Sequence, residues 1–399
     1  MDRGAWWFRA FLVGIAALGP FSLNVFSPCL PFIRADLHVD LSTVQLSASL
    51  SILAAAVATV IAGPLADALG RRPVLVTSLA LYVIGSLAAA LAPHIVLLIV
   101  GRLVQSASSS VAFVTARALI HDVYGPERSP SVIARISLMT VAGVVIAPLL
   151  GGIVIEHASW RVVFFTTSAI GLVLFVAALG RVVETAPTRV APSMRGGLDG
   201  VVALLRTPRF HGYATPSALH FAVFFAFTMT ASHLMVGHLH QSASGYGVWF
   251  VLLSVAVGLG LGGADVLSRR WPAARIAALG CVVALVGACV SAYCLLGAPL
   301  TPARLFGPVA ISALGIGLAV PGTNAGVMAV RPSLSGTASG LMGFEQYVLA
   351  AVFAQLAAHD EGEAARSLAL LALAGCSAAL AFVGLALGGS RAPAVEVAP

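Results

Sequence analysis

The sequence predicts an all-α integral membrane protein with twelve transmembrane helices, and three observations carry this prediction. Apolar residues make up 59% of the chain and charged residues only 9%, whereas an ordinary soluble domain carries roughly a quarter charged residues. The mean hydropathy is +0.99. The apolar residues also fall into continuous runs of about 20 residues, which is the length that a helix needs to cross a bilayer and is too long for the strands of a membrane barrel.

Twelve such runs follow one another along the chain, and short loops separate most of them. The first run is expected to be a span and not a signal peptide, because no Ala-x-Ala-like cleavage site stands in a suitable place. The longest polar stretch, Glu184 to Arg209, includes a segment from Leu198 to Leu205 that can form an amphipathic surface helix. The predicted spans are 11–33, 43–66, 74–92, 95–118, 132–155, 161–183, 211–236, 246–268, 273–297, 303–329, 334–358 and 365–388.

An internal repeat predicts that the spans form two pseudo-symmetric six-helix bundles. The loop after the second span and the loop after the eighth each place an aspartate four residues before a pair of arginines. Parallel repeats of this kind build transporters whose substrate site lies between the halves, near the membrane midplane. We therefore expect an N-terminal bundle over 1–183, a central cytoplasmic loop over 184–209 and a C-terminal bundle over 210–399. The repeated residues are Asp67, Arg71 and Arg72 in the first half and Asp265, Arg269 and Arg270 in the second.

The arginines predict the orientation of the chain. All 22 basic residues are arginine. When the N-terminus is placed in the cytoplasm, seventeen of them fall on the inner side and only Arg34, Arg161 and Arg366 fall on the outer side, while Arg102 and Arg304 lie within or near the edges of spans. Cytoplasmic loops of membrane proteins carry such an excess of positive charge. We expect a multi-pass protein of a bacterial inner membrane, with both termini in the cytoplasm.

The loop after the second span carries a motif with a physical role. It reads Gly63-Pro-Leu-Ala-Asp67-Ala-Leu-Gly70-Arg71-Arg72. Its glycines allow helix ends to approach closely, its aspartate can accept hydrogen bonds from a helix end or an arginine, and its arginines can anchor in anionic headgroups. The motif resembles the loop signature of the major facilitator superfamily, although Ala68 stands where that family usually has a basic residue.

Two further motifs resemble signatures of the same superfamily. Arg102 and Gln105 in the fourth span match its Arg-x-x-Gln pattern, and a charge inside a span should face a cavity or a partner. The alternative is an arginine that reaches the outer interface, since His94 is only eight residues away. The fifth span resembles the antiporter motif of exporters, because Pro148 permits a kink and small residues permit tight helix contact. The small residues of that motif are Gly143, Gly151 and Gly152.

Within the superfamily, the chain resembles the twelve-span drug:proton antiporters of the bicyclomycin/chloramphenicol-resistance (Bcr/CflA) group. Local runs along nearly the whole chain carry this resemblance, among them Pro28-Cys-Leu-Pro31 and Trp160-Arg161-Val-Val-Phe164-Phe165. The resemblance implies the superfamily's fold and an efflux activity that works by alternating access. It also implies an aspartate in the first span, and this chain has Asn24 there, which cannot carry a proton.

Two residues are therefore candidates for proton coupling. Glu345 is the one carboxylate well inside a predicted span, and a span carboxylate in apolar surroundings is suited to reversible protonation. It can equally form a structural hydrogen bond, or bind a cationic substrate in competition with a proton. His220 lies in the middle of the seventh span and can titrate near physiological pH, although a single histidine in a helix bundle is more often a packing residue.

Candidate substrate-cavity residues are polar groups and aromatic rings on the same spans. The rings of the seventh span are suited to lining an apolar cavity, and ordinary helix packing or lipid contact is the alternative. The full set of candidates is Asn24, Arg102, Gln105, Phe221, Phe224, Phe225, Gln346 and Tyr347.

Three functional hypotheses follow. The first is a proton-coupled exporter of a small, largely apolar compound, and the second is an uncoupled carrier or metabolite exporter on the same scaffold, which Asn24 favours. The third, a membrane-embedded enzyme or sensor, lacks support because the sequence has no Gly-x-Ser-x-Gly elbow and no His-Glu-x-x-His helix. The expected partners are a small-molecule substrate, protons and the lipid bilayer. We expect a monomer without cofactor, metal or nucleic acid.

Overall fold

The computed structural model describes residues 6–185, 194–297, 299–331, 334–359 and 362–388. These residues form thirteen α-helices and no strands. A 3-10 turn over Ser27–Cys29 joins the first two helices, and a π-helical turn over Leu234–His238 extends the eighth. The helices are α1 (Trp6–Phe26), α2 (Leu30–Leu37), α3 (Leu41–Leu69), α4 (Arg71–Ala90), α5 (Ile95–His157), α6 (Trp160–Arg181), α7 (Met194–Leu205), α8 (Pro208–His233), α9 (Ala243–Ser268), α10 (Ala273–Gly297), α11 (Pro302–Val330), α12 (Ser335–Ala358) and α13 (Ala364–Gly388).

The helices confirm the predicted all-α membrane fold. Among the described residues, eleven helical stretches are long and apolar enough to cross a membrane, and the shorter apolar helix Val145–His157 lies in the predicted fifth span. Large apolar side chains of these helices, such as Val173 and Leu259, are exposed at the protein surface. In a lipid solvent such exposure is favourable, and the helices satisfy their own backbone hydrogen bonds.

Two predicted boundaries differ from the structure. Residues between the fourth and fifth predicted spans continue as helix, so that α5 runs from Ile95 to His157 and is interrupted only at Gly125, with φ of 76° and ψ of 169°. Glycine adopts this positive φ without the steric penalty that a Cβ atom brings. The first predicted span is instead divided, because Pro28 and Pro31 stand at the starts of two successive helical segments, where the missing N–H groups remove no helix bond.

The described chain packs into two compact units that do not follow chain order. The first unit comprises Met1–Ser193, Ala226–Val251 and Ala351–Ala364. The second comprises Met194–Phe225, Leu252–Ala350 and Ala365–Pro399. Helices α8, α9 and α12 therefore contribute residues to both units.

Within the first unit, an ion pair joins the start of α6 to the end of α2. Arg161 Nη1 donates to Asp36 Oδ2 at 2.7 Å, and Arg161 Nη2 donates to the carbonyl of Ala92 at 3.1 Å. The same Asp36 oxygen accepts a hydrogen bond from Trp160 Nε1 at 3.1 Å. These residues lie at helix ends, where charged groups are tolerated, so the pair fixes three helix ends against one another.

Close glycine contacts hold neighbouring helices together in both units. In the first unit, a Cβ atom added to Gly101 of α5 would lie 2.8 Å from the carbonyl oxygen of Gly85 on α4, and the reverse contact is equally short. In the second unit, Gly280 of α10 and Gly315 of α11 form the same reciprocal contact. Small residues at helix crossings let the backbones approach, which is a main source of helix association in membranes. The two pairs occupy the predicted third and fourth spans and their counterparts, the ninth and tenth.

A carboxylate from the end of α6 caps the first turn of α4. Glu184 Oε1 accepts from the backbone N–H of Arg71 at 2.9 Å, and Oε2 accepts from that of Arg72 at 3.3 Å. Negative charge is favourable at a helix N-terminus, where the first N–H groups have no partner within the helix. Gly70 precedes this turn with φ of 100°, and a Cβ there would lie 2.5 Å from Glu184 Oε2. The positive φ favours glycine at this position, and a larger residue would also displace the carboxylate from the helix end.

The segment 226–251 of the first unit is hydrogen-bonded to residues of the 3-10 turn, α3 and α5. The hydroxyls of Ser27 and Tyr246 lie 3.3 Å apart, and Gln45 Nε2 donates to Thr230 Oγ1 at 3.3 Å. The backbone N–H of Ser244 donates to Glu156 Oε1 at 2.7 Å. Two hydrogen bonds between neutral side chains and one hydrogen bond to a carboxylate thus hold the loop between α8 and α9 and the helix ends next to it.

The glycine contact predicts how two matched substitutions will differ. Gly101→Ala places a methyl group against the backbone of α4, and overpacking of this kind typically costs about 1–3 kcal/mol. We expect the apparent melting temperature of the detergent-solubilised protein to fall by several degrees. Gly180→Ala in α6 is the control, because no atom lies within 4 Å of a Cβ there, and we expect an unchanged or higher melting temperature. Equal melting temperatures for the two variants would contradict the proposed packing.

The cap on α4 predicts a local effect of Glu184→Gln. The amide keeps one acceptor oxygen but turns an NH₂ group toward a backbone N–H, so about 1–2 kcal/mol of capping free energy is lost. We expect hydrogen–deuterium exchange in the first turn of α4 to rise roughly tenfold, measured by mass spectrometry. The first turn of α6, which Ser159 caps, serves as the internal reference. If both turns keep their exchange rates, Glu184 does not stabilise α4.

Candidate functional site

A buried polar cluster in the first unit is centred on Arg102. This arginine lies on α5 and is only 1% exposed. Its Nη1 donates to Gln105 Oε1 at 2.7 Å, and Gln105 Nε2 donates to Ser86 Oγ at 2.8 Å and to Thr167 Oγ1 at 3.3 Å. The two residues of the predicted Arg-x-x-Gln pattern are thus joined directly, one helical turn apart. The burial of Arg102 excludes the alternative in which its side chain reaches the interface.

Aromatic rings flank the guanidinium of Arg102. Its Cζ lies 4.5 Å from the centroid of the Phe26 ring and 5.9 Å from that of the Phe164 ring. A cation over the face of an aromatic ring gains about 2 kcal/mol when it is removed from water. The rings therefore offset part of the free energy that burial of this charge requires, but they accept no conventional hydrogen bond.

The side chain of Asn24 forms a hydrogen bond within its own helix. Its Nδ2 donates to the carbonyl of Pro20 at 2.8 Å, one turn earlier on α1. The described hydrogen bonds of Arg102 do not include Asn24. The first span therefore brings a neutral amide to the place where the resemblance predicts a carboxylate.

A second cluster, in the second unit, joins α8 to α12. Thr215 Oγ1 donates to Glu345 Oε1 at 2.7 Å, and Gln346 Nε2 donates to Ser217 Oγ at 3.0 Å. The ring of Tyr347 lies 5.8 Å from that of Phe221. Three consecutive residues of α12 thus contact three positions of α8. The carboxylate of Glu345 therefore accepts one hydrogen bond from a hydroxyl, and because the residue is half-buried, part of its surface is exposed.

The aromatic residues of α8 divide between two faces. Phe221 and Phe225 stack with an interplanar angle of 14°, as residues four apart on a helix can. Phe224 instead packs beside Ala284, Ile316 and Cys376 of α10, α11 and α13. The structure therefore groups Phe221 and Phe225 with Tyr347, and it places Phe224 in a separate apolar cluster.

His220 is a buried histidine on α8. It is 1% exposed, and neither ring nitrogen has a hydrogen-bond partner among the described residues. An unsatisfied buried polar group costs roughly 1–3 kcal/mol. His220 is therefore an unusual packing residue, although the described contacts do not connect it to Glu345.

The conformational motif of the first half forms a charged network at the start of α4. Arg71 pairs with Asp67 one turn earlier on α3, and its Nε lies 3.4 Å from Asp122 Oδ2 on α5. Asp122 and the helix cap Glu184 carry no sequence signal that links them to this motif, since they stand 51 and 113 positions away from Arg71. Gly63 has open space at its Cβ position. Arg72 Nη2 donates to the carbonyl of Leu179 at 3.0 Å.

The corresponding loop of the second half is less tightly bound. Arg269 Nη2 lies 3.9 Å from Asp265 Oδ2, and both side chains are 78% exposed. Exposed pairs of this kind contribute little stability. The repeated residues therefore have different surroundings in the two halves. Those of the first half contact neighbouring helices, whereas Asp265 and Arg269 of the second half are largely exposed.

The antiporter-like motif of α5 makes close backbone contacts. A Cβ on Gly151 would clash with the carbonyl of Val25, and one on Gly152 with the carbonyl of Ala243. Pro148 is buried beside them. Gly143 lies outside the residues whose surroundings are described. The described part of this motif therefore packs against α1 and the start of α9 within the first unit.

Comparisons with known proteins agree with this architecture. The family model for the Major Facilitator Superfamily matches residues 12–354. The chain is 27% identical to YdgK of Bacillus subtilis strain 168, an uncharacterized MFS-type transporter, over 94% of each chain. It is 28% identical to the multidrug resistance protein MdtL of Salmonella typhimurium strain LT2 over 45% of each chain.

A solved structure supports the fold. A D-xylose–proton symporter superposes with a TM-score of 0.73 at 12% identity, covering 95% of this chain and 98% of the other. At that identity the likeness concerns the fold alone. The match of the family model over 12–354 shows that this chain is a membrane transporter of the Major Facilitator Superfamily.

Proposed function

We propose that the chain is a secondary active exporter of a small, largely apolar, drug-like compound, which it exchanges for protons by alternating access. The observation that carries the proposal is the hydrogen-bonded, half-buried carboxylate of Glu345 in the middle of a spanning helix. Proton-driven transport against a gradient requires a group that takes up a proton on one side and releases it on the other. A carboxylate inside the membrane is a group of this kind.

The position of Glu345 distinguishes it from the other carboxylates. It stands ten residues after the start of α12 and thirteen before its end. The other carboxylates in the described spanning helices lie within three residues of a helix end or of Gly125. Those groups can reach the membrane surface, where they remain charged. Glu345 is therefore our candidate for proton coupling, with His220 as a second candidate on α8.

Two observations support export of a drug-like compound. The close backbone contacts of Gly151 and Gly152 are compatible with the tight packing that the antiporter-like motif predicts for the fifth span. MdtL, which aligns with 45% of this chain, is named a multidrug resistance protein. We further propose membership of the Bcr/CflA group of drug:proton antiporters. The aromatic pair of Phe221 and Tyr347 is our candidate for an apolar cavity wall.

Alternating access requires contacts that break and reform. The hydrogen bonds of Ser27 and Gln45 to Tyr246 and Thr230 join neutral groups, and each contributes only about 0.5–1.5 kcal/mol net. Such contacts suit a reversible closure. We propose two six-helix bundles, 1–183 and 210–399, as the moving parts, in a monomer of a bacterial inner membrane with both termini in the cytoplasm.

A second candidate function is uncoupled or differently coupled export of an endogenous metabolite. Asn24 favours this candidate, because its amide is uncharged, does not change its protonation state near neutral pH and donates a hydrogen bond to the carbonyl of Pro20. In that case the polar residues on α12 would contact the transported molecule and not a proton. The two candidates differ in how flux responds to a pH gradient.

Glu345→Gln tests the proposal in proteoliposomes with an imposed pH gradient. Across a panel of amphenicols, sulfonamides and bicyclomycin-like peptides, we expect the wild type to concentrate at least one compound. The variant should lose gradient-driven accumulation by tenfold or more, because the glutamine amide does not change its protonation state near neutral pH, while exchange between equal pools persists. Thr215→Val is the matched control, since it removes the hydrogen bond and keeps the carboxyl group.

The outcomes separate the hypotheses. A Glu345→Gln protein that still concentrates substrate removes Glu345 from the coupling role. Wild-type flux that ignores the pH gradient selects the uncoupled exporter. Absence of movement of every compound under every gradient contradicts drug/proton exchange.

A further inference from the structure

The guanidinium of Arg102 leaves one of its edges without a protein acceptor. Nη1 is occupied by Gln105. The Nε and Nη2 atoms are fully buried and have no hydrogen-bond partner among the described residues. These two nitrogens lie on the same edge of the planar group, where their N–H bonds are parallel. That edge is the fork that matches the two oxygens of a carboxylate.

Every carboxylate of the first 193 residues whose side-chain surroundings are described has another partner at a helix end, and none of these partners is Arg102. The pairs are Asp36 with Arg161, Asp40 with the N–H of Thr43, Asp67 and Asp122 with Arg71, Glu156 with the N–H of Ser244, and Glu184 with the N–H of Arg71.

The surroundings of this edge favour an acid with an apolar body. Phe26 and Phe164 flank the guanidinium, and their own rings lie 5.8 Å apart. Such rings can pack against an aromatic or aliphatic group attached to a carboxylate. Gln105, Ser86 and Thr167 hold the opposite side of the guanidinium in place. The fork is therefore pre-oriented by the protein before any ligand arrives.

We propose that Arg102 recognises the transported compound through a carboxylate, which accepts one hydrogen bond from Nε and one from Nη2. The substrate class is then a small organic acid with an apolar, preferably aromatic, body. This inference rests on the proposed function, since it names the chemical class of the exported compound. Binding requires Phe26 or Phe164 to move, because the guanidinium is buried in the present conformation.

Benzoate is the probe for this site, and benzamide is its neutral counterpart of nearly the same shape. In the full-length protein in detergent, we expect sodium benzoate to raise the melting temperature saturably, while benzamide and equal sodium chloride do not. In Arg102→Lys the charge remains but the fork is lost, so benzoate affinity should fall at least tenfold. Arg161→Lys, at the Asp36 pair, should bind benzoate as the wild type does.

Each outcome decides the proposal. Absence of a benzoate-specific shift in the wild type overturns it, and so does an equal shift with chloride or an equal affinity in Arg102→Lys. If Arg102→Lys does not fold, anomalous scattering from 4-iodobenzoate bound to wild-type crystals locates the probe, and an iodine site away from Arg102 overturns the proposal. Binding is measured without transport. A protein that binds benzoate at Arg102 but does not couple transport to protons therefore contradicts the proposed function alone.

Discussion

A charge that is surrounded by apolar material must be paired, neutralised or carried to the membrane surface, and this constraint organises the whole chain. Arg71 illustrates the first solution, because two aspartates and a capping glutamate surround it where α3, α4 and α5 meet. Arg161 and Asp36 repeat it at other helix ends. Among the described residues, Arg102, which is buried, and Glu345, which is half-buried, lie within spanning helices and away from these helix ends. Our proposals for proton coupling and for carboxylate recognition concern these two positions for that reason.

Helix packing then determines where these two groups are presented. The glycines of α4 and α5 bring the backbones into contact one residue before Arg102, so the start of its side chain is fixed by main-chain geometry. The equivalent glycines of α10 and α11 serve the second unit in the same way. Glu345 depends instead on side-chain contacts between α8 and α12. Backbone contacts therefore position Arg102, whereas side-chain contacts position Glu345. This difference suits the proposed roles, because an arginine that binds both oxygens of a carboxylate needs more exact orientation than a carboxyl group that carries a proton.

Much of this architecture was predictable from the sequence, because hydropathy alone defines the spans when lipid is the solvent. Arg102 and Gln105 were predictable as a pair, since residues three apart lie on one face of a helix. The cap by Glu184 was not predictable, because its partners are far away in sequence. The helical conformation on both sides of the break at Gly125 was also missed, since a polar stretch between two spans is typical of a loop. The packing of Phe224 beside Ala284 and Ile316 was not predictable, because composition does not reveal which neighbours each ring of α8 contacts. The two compact units depend on contacts between distant segments, which a single sequence does not record.

The glycine contact beside Arg102 bears on how this transporter can diversify. Because Gln105 anchors the guanidinium by a hydrogen bond and the backbones of α4 and α5 fix the start of the side chain, Phe26 and Phe164 are not the groups that position it. If Arg102 recognises a carboxylate as proposed, mutations at these two rings are expected to alter the size and shape of accepted molecules while the recognition of their head group is retained. Natural variants and laboratory selections are therefore expected to accumulate changes at the rings, and purifying selection is expected to act on Gly85 and Gly101.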